Sequence, residues 1–273
     1  MDVVVDPWRE AFMQRALLEL ILLGVVGAGV GAWILFYELA YSAESLAHAL
    51  FPGLVTAALL GLPLLVGGAA GVSVAVTAIA LVRRVPTLGA DTAVGVVITS
   101  LFGLGVLLAL APSSPPGIGA LLFGDLLGVT REDLVASALL AVAAGVALVG
   151  LHRPLLVVGF DRTTSRAFGA RPLLVDLALL ALVALAIVIG VRALGNLLVL
   201  ALLVGPAATA RLLVRRMTRL MALAAAIAVG ASIAGLYLSY YASVAAGASV
   251  ALVTVGAYVA ALLTRATVAS RWT

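Results

Sequence analysis

The sequence predicts an all-α, polytopic membrane bundle of about nine transmembrane helices, eight at the least, and three observations carry that prediction. Of 273 residues, 64% are hydrophobic and only 10% are charged. Mean hydropathy is +1.28. The apolar residues also fall in long runs punctuated by charge, proline and glycine. Soluble domains sit near 45–50% apolar and about 25% charged, so this excess needs hydrocarbon as its solvent. At roughly 20 residues per span, the composition fills on the order of eight or nine helices and leaves little chain for a soluble domain. Residues 1–273 therefore read as a single transmembrane domain. The runs are too long and too uniform for barrel strands, which alternate over about ten residues.

In order along the chain, residues 1–15 mix Asp2, Asp6 and Glu10 with Arg9 and Arg15. No small-residue cleavage site follows, so they read as a retained interfacial segment. The spans are then expected near 16–36, 38–60, 63–82, 91–111, 132–151, 173–191, 195–212, 219–239 and 247–264. Gly24, Gly27, Gly29 and Gly31 in the first span suit close helix packing or a subunit contact. Between spans four and five, Pro112, Pro115 and Pro116 precede a short apolar stretch, Gly119 to Leu127, that reads as an interfacial or re-entrant helix. Between spans five and six, residues 152–172 form a loop in which Asp161 or a nearby threonine caps a two-turn helix that Gly169 closes. A short helix of this kind is either a docking element for a soluble partner or an ordinary amphipathic linker.

Orientation follows from arginine. All sixteen basic residues are arginines, and with nine spans and an outside N-terminus twelve of them fall on the inner side. Positive charge is retained on the cytoplasmic face, which predicts N-out and C-in. The chain has no cysteine, which removes disulfides and thiolate chemistry. It also has no lysine, so a phosphate-binding Gly-x-x-x-x-Gly-Lys-Ser/Thr loop is excluded. A pump built on this chain takes its motor from another polypeptide.

Charge within the spans is expensive and therefore informative. Glu44 and His48 lie four residues apart in span two and share one helical face. His48 is about 15 Å along the helix from Glu38, near the bilayer midplane. Carboxylate and imidazole on adjacent turns make a two-ligand half-site for zinc or manganese, or else a pair that satisfies itself by a hydrogen bond. The order is not His-Glu-x-x-His, so no hydrolytic zinc centre is assembled. Pro52 frees a backbone carbonyl one turn later, and Pro206 marks a second helix break or a packing kink. Asp91 and Asp176 sit at helix starts and read as structural. His152 reads as solvated beside Arg153. Tyr237, Tyr240 and Tyr241 suit an aromatic belt or an outer gate.

Five stretches occur in the order of a known family. They are Ser42–Gly53 (SAESLAHALFPG, similar to GDALSHAxLPG), Leu121–Val129 (LLFGDLLGV), Phe160–Gly169 (FDRTTSRAFG), Leu198–Leu213 (LVLALLVGPAATARLL) and Leu236–Val253 (LYLSYYASVAAGASVALV). The ordered set resembles the ABC-3 metal permeases, subunits of bacterial ABC transporters that import manganese, zinc or iron(II). The resemblance implies a type II ABC importer-like fold in the plasma membrane and a transport subunit without enzymatic activity. It also implies a homodimer, a cytoplasmic ABC ATPase dimer that carries ATP, and an extracytoplasmic solute-binding protein. By position it places the metal contacts at Glu44 and His48. It makes Phe160, Asp161, Arg162, Arg166, Ala167, Phe168 and Gly169 the coupling helix that meets the ATPase. Glu44 stands where the family usually has aspartate, Phe36-Tyr37-Glu38 replaces a basic pair, and the acidic residue common near Tyr241 is missing. The rival expectations are a permease for a metal chelate such as a siderophore or cobalamin, an intramembrane enzyme, and a secondary transporter.

Overall fold

The computed structural model describes residues 2–82, 90–112, 114–115, 117–167 and 169–269, and among these every regular element is a helix. Phe168, with Arg83, Arg84, Pro116 and Arg271 of the sequence argument, lies outside the described residues, as does the side chain of Asp91. The order is α1 (Asp2–Arg9), α2 (Ala11–Phe36), α3 (Ala40–Leu59), α4 (Leu64–Val82), α5 (Ala90–Ala109), α6 (Ala120–Phe123), α7 (Arg131–Phe160), α8 (Arg162–Ala167), α9 (Pro172–Leu213), α10 (Met217–Ala242) and α11 (Ala246–Ala269). Among the described residues seven helices are long and apolar enough to cross a membrane: α2, α4, α5, α7, α9, α10 and α11. The 20-residue α3 has the length but carries Glu44 and His48.

Helix α9 is two arms. At 42 residues a straight helix would be about 63 Å long, twice the hydrocarbon thickness. The chain leaves helical geometry at Gly195, with φ 74° and ψ 163°, a backbone region open essentially to glycine alone. Beyond it the second arm folds back on the first, for a Cβ on Gly190 would meet the side chain of Val199. In a continuous helix these two residues would stand about 13 Å apart along the axis. Both outer ends of α9 consequently reach the same end of the bundle, where Arg162 pairs with Asp176 at 2.8 Å and Arg211 Nη1 donates to the Leu35 carbonyl at 2.7 Å.

The core is a large apolar cluster in which Trp33, Phe51, Leu20, Leu155 and Ile187 are fully buried, flanked by two smaller ones around Ala28 and Ala49. Helix α2 runs through its middle. Its glycines serve packing within the chain: a Cβ at Gly31 would fall on the Leu203 carbonyl, and one at Gly24 would press on Ala228. Side-chain-free crossings of this kind let membrane helices approach closely.

Several boundaries differ from the sequence reading. Residues 1–15 divide at Glu10 into α1 and the first turn of α2, and Trp8 Nε1 donates to Tyr237 Oη at 2.6 Å, docking α1 on α10. Helix α7 continues past His152 and Pro154 to Phe160. The expected 152–172 loop thus begins only at Asp161, because Leu155 and Val158 extend the buried face and membrane helices tolerate proline where neighbours cover the gap. His152 is half-buried with its ring edge-on to Trp33 at 5.3 Å, and so is not a solvated loop residue. Helix α6 is a single turn whose Leu121 and Leu122 are buried against the bundle. One side of this turn is packed inward while Phe123 is 62% exposed, in keeping with the expected interfacial or re-entrant helix. Helices α3 and α9 pass through Pro52 and Pro206 with helical backbone angles, and the break in α9 falls at Gly195.

Candidate functional site

Glu44 and His48 line one cleft of about 590 Å³ between α3 and the second arm of α9, together with Tyr41, Asn196, Leu200 and Gly205. The i, i+4 spacing stacks the carboxylate above the imidazole on a single face. The imidazole ring lies against Phe102 at 4.3 Å between centroids, which fixes its plane. Its Nδ1 is buried and has no hydrogen-bond partner. Pro52 has no N–H, so the His48 carbonyl lacks its helical donor one turn below the imidazole.

Opposite stands Asn196, which sequence reasoning missed. It is 1% exposed, and both its Oδ1 and its Nδ2 are buried without a partner. Unpaired amide atoms at that depth cost about 1–3 kcal/mol each unless something fills the cleft. Asn196 comes to this position through the reversal at Gly195, which ends the first arm and starts the second with a buried polar residue in the cleft lining. The turn is clamped from outside: a Cβ on Gly195 would meet the Leu122 carbonyl and the Gly124 amide, and Asp125 N donates to the Arg192 carbonyl at 3.1 Å. The signal in the sequence was a Gly-Asn pair interrupting an apolar stretch, a dipeptide that marks turns.

The set converging here is one carboxylate, one imidazole and one amide. Among the described residues no three His, Cys, Asp or Glu side chains gather in a metal-binding group. The cleft is open: Tyr41 is 65% exposed and Glu44 is exposed.

Helix α8, Arg162–Ala167, is short and capped. Asp161 Oδ1 accepts from the amides of Thr163 at 2.8 Å and Thr164 at 3.0 Å, and the Thr164 hydroxyl donates to Oδ2. The hydrogen bonds from Thr164 hold the Asp161 carboxyl below the usual aspartate range. Gly169 closes the helix at φ 76°. Ser165 is buried, anchoring α8, whereas Phe160 is 78% exposed and Arg166 points to solvent. Tyr37, which joins α2 to α3, donates to the Leu155 carbonyl at 2.8 Å and lies under the Arg162 guanidinium at 5.9 Å. Burial, reinforced by nearby Asp176, pushes its hydroxyl up to about 12. Tyr240 and Tyr241 stack edge-on at 5.2 Å at the opposite end of α10, distant in sequence and element from Glu44 and His48.

A multi-helix membrane domain with a polar half-site in its flank and a capped helix at one end has the anatomy of a transport subunit. The chain belongs to the ABC 3 transport family, whose pattern matches residues 9–265. It is 30% identical to the manganese transport system membrane protein MntC of Listeria monocytogenes, over 89% of this chain and 87% of that one. It is 28% identical to a probable iron transport system membrane protein of Haemophilus influenzae, over 96% of each. The solved structure of PsaBC from Streptococcus pneumoniae in complex with Fab superposes with a TM-score of 0.85 at 27% identity, covering 94% of both chains. The chain is accordingly a membrane permease subunit of an ABC transporter and not an enzyme, with ATP hydrolysis on a separate chain.

Proposed function

We propose that this permease imports a divalent transition metal ion by alternating access, and that Glu44 and His48 contact the ion on its way through. The observation that carries the reading is the cleft itself. It presents a carboxylate, an imidazole with an unpartnered nitrogen and an amide with two unpartnered atoms, a donor set that asks for a cation. Two oxygens and one nitrogen suit manganese, which accepts oxygen ligands and six-coordination, better than zinc, which favours nitrogen and sulfur in a tetrahedron. Iron(II) shares much of that preference. The names of the relatives, manganese in one case and iron in another, agree with this class of cargo.

The open cleft, with Tyr41 and Glu44 exposed, supports a homodimer. A carboxylate within the membrane is costly unless it is partnered, and a second copy across the cleft removes that cost while doubling the ligand set. Nine crossings, counting α3 and both arms of α9, put the N-terminus outside and α8 in the cytoplasm of a bacterial cell, in keeping with arginine at that end. There Phe160, Asp161, Arg162, Arg166, Ala167, Phe168 and Gly169 form the coupling element for an ATPase dimer that binds ATP. An extracytoplasmic solute-binding protein delivers the ion at the other end, where Tyr240 and Tyr241 stand. Pro52 and Pro206 weaken the two helices that border the cleft, where reorientation must occur.

The test is uptake of radioactive manganese into proteoliposomes holding the permease, its ATPase and its binding protein. Asn196→Ala should raise the KM for manganese roughly tenfold or more with little change in the amount of complex, as loss of a buried amide ligand would. A KM equal to wild type would remove Asn196 from the path. Asp161→Ala unwinds the start of α8, so uptake and permease-stimulated ATP hydrolysis should fall together while manganese binding is retained. Loss of uptake with fully stimulated hydrolysis would contradict a coupling role.

A further inference from the structure

A second cavity, of about 280 Å³, lies between the start of α2, the end of α3, the 117–133 segment and the first arm of α9, lined among others by Glu19, Asp125, Asp133, Ser137 and Arg192. Glu19 is 2% exposed. Its Oε1 accepts from Ser137 Oγ at 2.6 Å, but Oε2 is buried with no partner at all. Arg192 is the one cation in the lining, and it is spent on Asp133, to which its guanidinium donates. The second oxygen of Asp133 is occupied by Thr130. Asp125 is held at the wall by the turn in which its Oδ1 accepts from Gly128 N at 3.0 Å. Three carboxylates therefore share the lining with one guanidinium, and the most buried of them has a free oxygen. Charge on a carboxylate buried in a bundle is neutralised, by a proton or by a cation, and the space beside Oε2 has room for the cation.

We propose that this cavity is a binding site for a hydrated divalent cation, separate from the Glu44/His48 cleft. The lining offers oxygen donors and neither histidine nor cysteine, which selects a hard ion of the magnesium or manganese kind. The carboxylates do not converge into a three-ligand group, so the ion keeps most of its water shell. Glu19 Oε2 is the direct ligand, and Asp125 and Asp133 act through water. The volume holds several waters at about 30 Å³ each. Ala58, in the lining, lies ten residues beyond His48 on α3, about 15 Å along the axis, so one ion cannot occupy both places. That the site is the first station of the imported ion rests on the function proposed above; that it binds a cation does not.

The experiment is equilibrium binding of manganese ion alone to the purified permease–ATPase complex in lipid nanodiscs, read by electron paramagnetic resonance of the free ion. The Glu44→Ala/His48→Ala form should retain one manganese per permease, and adding Glu19→Gln should weaken that residual binding at least tenfold. The amide keeps the Ser137 hydrogen bond, so folding should survive; Asp125→Asn, on an exposed turn, provides a second variant with an expected loss in the same direction. Absence of residual binding in the Glu44→Ala/His48→Ala form, or residual binding indifferent to both Glu19→Gln and Asp125→Asn, overturns the proposal. Unchanged total binding on losing Glu44 and His48 would instead refute the function proposed for that pair and leave the Glu19 comparison still decisive for this cavity.

Discussion

Gly195→Ala should prevent the protein from accumulating in the membrane. Two independent costs meet at this residue. Its backbone sits at φ 74° and ψ 163°, where a residue with a side chain pays about 1–3 kcal/mol. The added methyl would also fall on the Leu122 carbonyl and the Gly124 amide, both backbone groups without rotamers to yield. Together they approach the exceptional destabilisations of 4–5 kcal/mol or more, a large share of the roughly 5–15 kcal/mol that holds a typical protein folded. The control is Gly230→Ala on α10, where a Cβ would meet nothing within 4 Å and helix propensity favours alanine by about 1 kcal/mol. Quantitative immunoblots of membranes and thermal unfolding of detergent-purified complex check both. Wild-type abundance of Gly195→Ala would show that the arms of α9 do not reverse in the way described.

His48→Ala should lower uptake by more than the roughly 10–100-fold that loss of an outer-shell partner typically costs a metal site, with membrane abundance unchanged. The reason is chemical. Imidazole ligates only when neutral, and Nδ1 of His48 is the buried nitrogen left unpartnered beside Glu44 and Asn196. Structural loss should be small, because the ring's packing partner Phe102 can close part of the gap. His48→Gln keeps the bulk and a carbonyl oxygen and should recover part of the transport. Acidification should mimic the substitution, since protons compete with the ion for the same nitrogen; uptake falls as pH falls. A pH-independent rate, corrected for delivery by the binding protein, would contradict this.

What the sequence disclosed follows from where the energy is large. Burial of apolar helices in lipid dominates every other term, so the runs of apolar residues placed the helices to within a few residues, except at α7. There Arg153 and Pro154 read as a stop, while Leu155 and Val158 continue the buried face to Phe160. The Glu44/His48 pair was legible because charge at membrane depth is costly. The same rule points at Glu19, which sits in the apolar run of α2 and was passed over. What made Glu19 informative, the free oxygen and the Arg192–Asp133 pair beside it, depends on three helices meeting and has no signature in local sequence. Asn196 belongs to the same category: its neighbour Gly195 announces a turn, but only the reversal of α9 brings the amide across from His48. At Pro206 the first of the two readings, a helix break, does not hold, since a proline inside a membrane helix need not break it.

The most direct test is elemental analysis of cells expressing the permease with its ATPase and binding protein, comparing wild type with Glu44→Ala and His48→Ala at equal membrane abundance. Accumulation of manganese above the other divalent metals in wild type, abolished by both substitutions, is the predicted result. Undiminished metal content in the two variants would contradict the account by reducing Glu44 and His48 to a structural pair.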